Sequence, residues 1–198
     1  SVPTDCPQRD ERMGWTADTQ VFTETACYFA DVRAFFAKWL ADLRDSQRPD
    51  GGYPSVAPIA HFGNEASRLG WADAGVIVPW TVWKMTGSVK VLRDSWDSMV
   101  RFVDEIAARK YVAPANDSQY ADLLSFEKWE TCRDNLWSTK DPEVRRWWDF
   151  LGACYWRWDA ERMAEMGRFI EKPEAERFAK MADEARAYLR KNFLTPEG

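Results

Sequence analysis

The sequence lacks the features that mark secreted precursors and membrane proteins. It has no initiating methionine, and its first residues show neither the basic nor the apolar region of a signal peptide. The longest apolar run, at 74–83, is interrupted by Gly75 and Pro79 and is far shorter than the roughly 20 residues of a membrane span. We therefore expect a soluble protein with no membrane partner, and we interpret the chain as a segment of a larger protein. Its compartment is not indicated.

Charge of one sign and metal-binding patterns are also missing. The 27 basic and 32 acidic residues are well mixed, so nucleic acid is not an expected partner. The four cysteines show no CxxC or Cys/His spacing, which favours free thiols and predicts neither a metal nor a cofactor. They are Cys6, Cys27, Cys132 and Cys154. The single histidine, His61, has no nucleophile motif beside it and is interpreted as a solvated loop residue.

Aromatic residues, by contrast, are abundant. The chain has 12 Trp, 6 Tyr and 11 Phe. Such rings fill gaps between large helices, and they also stack on the apolar faces of sugars. The first explanation covers most of them, and it includes the tryptophans that lie at helical spacing, namely Trp147, Trp148, Trp156 and Trp158.

Apolar residues recur at three- and four-residue steps along most of the chain, which predicts helices. The expected elements are one long helix from Thr16 to Arg44, and further helices from about Asp73 to Met85, Val89 to Ala108, Asp141 to Arg168 and Pro173 to Asn192. The stripe of the first helix comprises Phe22, Ala26, Phe29, Phe36, Leu40 and Leu43. No segment alternates as a half-buried strand does, and residues 114–140 predict an irregular connection with one short helical piece.

The predicted helices are joined alternately by tight turns and long loops. No solenoid repeat signature is present, so a closed ring of paired antiparallel helices, with the long loops on one rim, is favoured over a solenoid. A ring of twelve helices, at about 30 residues each with its connection, requires about 350 residues. The fold class is therefore all-α, and residues 1–198 are interpreted as a single segment that forms about half of such a toroid.

Charged side chains are dense in Asp5 to Asp18, which reads DCPQRDERMGWTAD. Hydrolysis of a glycosidic bond requires one protonated carboxyl group and a second, ionised one, and mixed acids and arginines can supply both states. From composition alone, a charged loop that caps the first helix at Thr16 or Asp18 is the simpler explanation.

This segment closely resembles the signature of the bacterial α-L-rhamnosidases. The resemblance continues through FFAKWLADL, QRPDGGYPSVAP, GWADAGVIVPW and the final TPEG, and so covers essentially the whole chain. It implies an (α/α)6 barrel catalytic domain, of which this chain is the N-terminal half. It also implies that rhamnose-containing glycosides are the partners, that hydrolysis inverts the anomeric centre, and that no cofactor takes part.

The resemblance assigns roles by position. Glu11 matches the general acid, and the residues that match or could serve as sugar ligands are Asp5, Arg9, Trp15, Asp18, Trp71, Asp73 and Asp122. Two departures from the family pattern are Ala17 in place of Gly, and Leu123, after Asp122, in place of Trp. The second departure puts the sugar preference in question. No residue matches the general base, so we expect the chain to be inactive alone.

Two other functions remain open. Half a toroid exposes apolar helix flanks, so the chain could be a helical module that associates with a second copy of itself. The same scaffold could also carry a different chemistry, because a fold does not determine a function.

Overall fold

The computed structural model describes residues 12–60, 70–108 and 142–194. This part of the chain contains six helices and no strand, which confirms the all-α prediction. In chain order they are α1 (Thr16–Phe29), α2 (Arg33–Asp45), α3 (Ala74–Thr86), α4 (Val89–Ala108), α5 (Pro142–Phe169) and α6 (Ala175–Phe193). No helix in these ranges is long and apolar enough to cross a membrane.

The six helices follow one another in three pairs, each joined by a short turn. Residues 30–32 join α1 to α2, residues 87–88 join α3 to α4, and residues 170–174 join α5 to α6. The long connections, 46–73 and 109–141, link one pair to the next. The predicted tight turns are therefore present, while residues 61–69 and 109–141 of the longer connections lie outside the described residues.

The pairs stack into two layers. In the first layer α3 packs between α1 and α5, while in the second layer α2 packs on α3 and α4. The ion pair between Lys84 and Glu165 lies further along both α3 and α5 than the pair Asp73 and Asp159, so these two helices are parallel. Large side chains fill the space between the layers, among them Trp39, Trp96, Phe102 and Phe178.

The predicted single helix from Thr16 to Arg44 is wrong. Ala30 is extended, with φ −156° and ψ 162°, and this ends α1 at Phe29. Asp31 then accepts the backbone N–H of Arg33 through its carboxylate, which satisfies a donor at the start of α2. A capping carboxylate within an otherwise helical pattern therefore makes the tight turn of the first pair.

The predicted apolar stripe is correct in α2, and in α1 only Ala26 of its members packs against the core. Phe36, Leu40 and Leu43 are buried, but Phe22 is 57% exposed and Phe29 is 81% exposed. The buried face of α1 is instead polar, and consists of Thr16, Thr19, Gln20 and Thr23. Periodicity identified α1 as a helix and assigned the wrong face to the core.

The remaining boundaries agree closely with expectation. Gly87 ends α3 with a φ of +71° and donates its N–H to the Trp83 carbonyl over 2.8 Å. The bounds of α4 are as predicted, and α5 has Pro142 at its first position. In contrast, α6 begins at Ala175, two residues after the predicted Pro173. The predicted cap Asp141, the irregular connection and His61 lie outside the described residues.

Two further predictions concern α1 and α5. Cys27 and Cys154 are half-buried free thiols, as expected, while Cys6 and Cys132 lie outside the described ranges. Trp156 is a core residue, whereas Trp158, predicted to be core, is 37% exposed. The side chains of Trp147 and Trp148 also lie outside the described part.

Candidate active site

The structure describes half of the predicted site. Trp15, Asp18, Trp71 and Asp73 lie in the described ranges. The general acid Glu11 and three of the predicted sugar ligands lie outside them, the three being Asp5, Arg9 and Asp122. The geometry below therefore concerns the four described residues and what positions them.

Trp15 is held through its backbone by the loop that follows α2. The Thr16 N–H donates to the Ser55 carbonyl over 3.0 Å, and the Ala57 N–H donates to the Gly14 carbonyl over 3.0 Å. The Thr16 hydroxyl donates to the same Ser55 carbonyl over 2.9 Å. These bonds form a short antiparallel pairing. The pairing fixes the backbone of Trp15 and so the direction in which its half-buried side chain points.

The loop itself is anchored in the core. The Trp39 indole N–H donates to the Ala57 carbonyl over 3.0 Å, and the Tyr53 hydroxyl donates to Ser98 over 2.7 Å. All four of these residues are buried. The loop is therefore a firmly anchored support for Trp15.

Neither Thr16 nor Asp18 caps α1, contrary to the simpler explanation of the charged segment. Trp15 occupies the N-cap position and makes no side-chain cap bond. Thr16 and Asp18 lie inside the first turn, where Thr16 is buried and Asp18 is exposed. A carboxylate in the first turn is favourable because it faces the positive end of the helix dipole.

Trp71 lies on a turn of residues 70–73, which we call the Trp71 turn. Gly70 has a φ of +89°, a conformation that favours glycine, and its N–H donates to the Asp73 carboxylate. The Trp71 carbonyl accepts the N–H of Ala74 over 3.1 Å, so the turn leads directly into α3. The side chain of Trp71 is half-buried.

One side-chain hydrogen bond joins α1 to the Trp71 turn. The Gln20 amide donates to the Gly70 carbonyl over 2.6 Å. Gln20 lies two residues after Asp18 near the start of α1, and Gly70 precedes α3. The start of α1 and the Trp71 turn therefore meet at the same end of the first layer.

Asp73 is fully buried, and its carboxyl group lies against that of Asp159 on α5. Burial raises the pKa of Asp73 to about 6, while the hydrogen bonds from Asp159 and Gly70 act in the opposite direction. Sequence reasoning missed Asp159. Its spacing of three from Trp156 and four from Met163 places it on the buried stripe of α5, and an acid on such a stripe was an available signal.

A cluster of aromatic and charged side chains locks α5 against α3. Trp80 donates its indole N–H to Glu165 over 2.7 Å, and Lys84 pairs with the same carboxylate over 2.9 Å. The Arg162 guanidinium lies 4.4 Å from the centre of the Trp80 ring. These contacts fix the register of α5 and so determine which residue of α5 faces Asp73.

Comparison with known proteins adds the family. Residues 1–198 match the model of the bacterial alpha-L-rhamnosidase 6 hairpin glycosidase domain. The chain belongs to this family. The three helix pairs of the described residues agree with a domain built from helical hairpins, and the predicted family is confirmed.

Several curated rhamnosidases are similar in sequence. An alpha-L-rhamnosidase of Streptomyces avermitilis is 49% identical over 176 residues, which cover 88% of this chain and 15% of that protein. One from Formosa agariphila is 43% identical over 124 residues, which cover 62% of this chain and 13% of the relative. The chain thus spans only a small part of the length of these relatives.

Solved structures of the same family share the fold. The crystal structure of Streptomyces avermitilis alpha-L-rhamnosidase complexed with L-rhamnose has a TM-score of 0.81 at 31% identity, and the match covers 100% of this chain and 17% of that one. The structure of the Aspergillus terreus enzyme has a TM-score of 0.76 at 26% identity, covering 98% and 22%. These matches confirm the predicted six-hairpin helical architecture.

Proposed function

We propose that the chain forms the part of an α-L-rhamnosidase catalytic domain that supplies the proton donor and holds the terminal rhamnose. Glu11 donates a proton to the departing glycosidic oxygen in the intact enzyme. A second carboxylate, which no residue of this chain matches, activates water on the opposite face of the sugar and inverts the anomeric centre. Family membership and the DCPQRDERMGWTAD segment support these roles.

The observation that carries this proposal is the hydrogen bond between Gln20 and Gly70. Through it, the start of α1 and the Trp71 turn lie together at one end of the first layer. Half-buried indoles at Trp15 and Trp71 suit the apolar faces of a deoxy sugar, and the exposed carboxylate of Asp18 can accept sugar hydroxyl groups. Asp5, Arg9 and Asp122 complete the proposed set of ligands.

Calorimetric titration of L-rhamnose into the chain tests the proposal. Removing the carboxylate in Asp18→Ala eliminates a charge-assisted hydrogen bond of about 1.5–3 kcal/mol, so affinity should fall by about tenfold or more. Trp71→Ala should weaken binding similarly through lost stacking. Asp97→Ala, which removes an exposed acid of α4, is the matched control and should bind like the parent. Unchanged affinity in both site variants would count against a rhamnose site here and favour a different chemistry on the same scaffold.

Self-association is a second candidate function, and the exposed face of α1 favours it. Val21 is 78% exposed, Tyr28 75% and Phe29 81%, and together with Phe22 they follow one side of the helix. Contiguous apolar surface of this kind commonly marks an interaction site. We propose that in solution two copies of the chain pair through this face.

Light scattering distinguishes a single copy of the chain from a pair. The parent should have a mass above the 23.0 kDa of one chain, and Phe29→Glu should return it to that mass because a charge on the face opposes its burial. Leu194→Glu, at an apolar residue that is 50% exposed outside α1, is the control and should leave the mass of the parent unchanged. A parent that remains a monomer at high concentration contradicts the proposal.

A further inference from the structure

Two buried carboxyl groups face each other where α5 passes the start of α3. Asp73 precedes α3, Asp159 lies within α5, and both side chains are 0% exposed. Asp73 Oδ1 and both carboxyl oxygens of Asp159 are buried and receive no hydrogen bond from another described group, and the two carboxyl groups lie close enough to hydrogen-bond to each other once one is protonated. Because an ionised carboxylate can only accept hydrogen bonds, one of the two must carry a proton. The pair is therefore a single unit with one proton and one negative charge.

The surroundings assign the proton to Asp159. Asp73 accepts the backbone N–H groups of Gly70 and of its own residue, which favours its ionised form. Neither carboxyl oxygen of Asp159 accepts a hydrogen bond from another group of the described ranges, and burial together with the charge of Asp73 raises its pKa well above the ordinary value. The charge of Arg162, three residues further along α5, opposes this shift in pKa.

The pair acts on the turn that carries Trp71. The Asp73 carboxylate accepts the Gly70 N–H, and the Gln20 amide of α1 donates to the Gly70 carbonyl. Both backbone polar groups of Gly70 are therefore hydrogen-bonded. The ring of Tyr155 on α5 lies 3.8 Å from the place a Cβ would occupy on Gly70. The Trp71 turn therefore lies between α1 and α5 and contacts both. The Asp73 and Asp159 carboxyl groups form its polar contact with α5.

We propose that Asp159 is a positioning residue for the rhamnose site: through its proton it holds Asp73, and through Asp73 it fixes the turn that presents Trp71. The inference rests on the proposed function, because Trp71 is there assigned to the sugar. Asp159 itself touches no substrate.

The alternative is that the pair only stabilises the junction of α3 and α5. Burying two carboxyl groups is expensive, and well-packed apolar residues often stabilise a fold as well or better. A pair that serves stability alone would therefore be replaceable without effect on the sugar. A positioning pair requires a hydrogen-bond donor at residue 159.

Two substitutions separate these possibilities. Asp159→Asn supplies an amide donor that does not titrate, whereas Asp159→Leu has similar volume and no donor. In the rhamnose titration at about pH 6 the Asn variant should bind within about twofold of the parent, and the Leu variant should bind about tenfold or more weakly. Asp183→Asn, an exposed acid on α6, is the matched control. Leu and Asn variants that both bind like the parent would overturn the proposal.

The pH profile adds a signature that a merely structural role would not give. As the pH is raised until the parent loses the shared proton, two buried negative charges repel each other, and rhamnose binding should weaken. The Asn variant has no proton to lose there and should keep its affinity. A parent and Asn variant with the same pH profile would contradict the inference.

An independent readout covers the case in which the chain binds no rhamnose, which would refute the proposed function by itself. Infrared spectroscopy at neutral pH, carried out in a Glu105→Gln background because Glu105 also holds a proton there, should show the carbonyl band of a protonated carboxyl group, and adding Asp159→Asn should remove it. In chain labelled with fluorotryptophan, the resonance assigned through Trp71→Phe should shift between the parent and Asp159→Leu, and much less in Asp159→Asn. Absence of the band, or an unchanged Trp71 resonance in the Leu variant, would overturn the positioning role whether or not the chain binds rhamnose.

Discussion

At the scale of single residues, one glycine in α3 shows how closely this helix approaches the loop that follows α2. A Cβ on Gly75 would lie 2.0 Å from the ring of Tyr53. That ring is fully buried, its centre lies 5.0 Å from the ring of Phe102, and its hydroxyl donates to Ser98 over 2.7 Å, so it cannot retreat. Glycine is required here by its size and not by its backbone angles.

Gly75→Ala should therefore destabilise the fold. Alanine gains up to about 1 kcal/mol in helix propensity, but a contact of this kind costs about 1–3 kcal/mol or more, so we expect a net loss of about 2 kcal/mol. Denaturant unfolding measures it. Gly87→Asn is the comparison, since nothing lies within 4 Å of a Cβ there and Asn tolerates the positive φ. Equal stability of Gly75→Ala and the parent would show that the helix and the loop separate more easily than described.

A second residue, Glu105 on α4, makes stability depend on pH. Burial, helped by the negative charge of Asp50, raises the pKa of Glu105 to about 8, and Arg48 partly opposes the shift. The folded state thus holds a proton that the unfolded state releases near pH 4.5, the ordinary pKa of a glutamate. This contribution is complete below about pH 4.5 and is lost as pH rises towards about 8.

Glu105→Gln should flatten that dependence, because the amide keeps the shape and removes the titration. Between about pH 5 and about pH 8, the free energy of unfolding should fall less in the variant than in the parent. The buried pair Asp73 and Asp159 has the same sign of effect, but it is present in both proteins and cancels in the difference. Identical slopes would mean that Glu105 titrates near its ordinary pKa.

At the scale of elements, α1 differs from an ordinary amphipathic helix. It packs against α3 through threonines and a glutamine, and its phenylalanines and Tyr28 face outwards. Its buried side chains donate hydrogen bonds to backbone carbonyls: Thr23 donates to that of Thr19 over 2.6 Å, and Gln20 donates to that of Gly70. This helix therefore supplies a hydrogen bond to the Trp71 turn and leaves an apolar face exposed.

Gln20→Leu should disturb the site more than a substitution at an exposed residue of α1 does. The substitution leaves the Gly70 carbonyl without its donor, which costs about 1–3 kcal/mol, and it frees one side of the Trp71 turn. We expect lower thermal stability together with weaker rhamnose binding in calorimetry. Thr25→Ala, on the exposed side of α1, should change neither. A Leu variant with normal sugar affinity would show that the turn does not need α1.

At the scale of the whole molecule, the proposed function gives the chain one member of a catalytic pair. Inverting hydrolysis places the base roughly 6.5–9.5 Å from the acid to leave room for water. The family resemblance carries the acid to Glu11 and carries the base to no residue of this sequence. Binding of a sugar and its hydrolysis are therefore separable properties here.

The 198-residue chain alone should thus turn over an aryl α-L-rhamnoside at a rate close to that of buffer. A spectrophotometric assay of the released aryl alcohol measures this, with an intact α-L-rhamnosidase as the positive control. Robust inverting turnover that Glu11→Gln abolishes would refute the prediction, and would require a general base among the acids of this chain.

The sequence by itself determined most helix boundaries and the family, because those signals are local. A glycine at positive φ ends α3, a proline begins α5, and the DCPQRDERMGWTAD segment is recognisable without any neighbour. Only the tertiary structure decided which face of α1 is buried, that Gln20 holds the Trp71 turn, and that Asp159 meets Asp73. Those facts depend on what lies opposite each side chain across the layers, and periodicity along one helix does not contain that information.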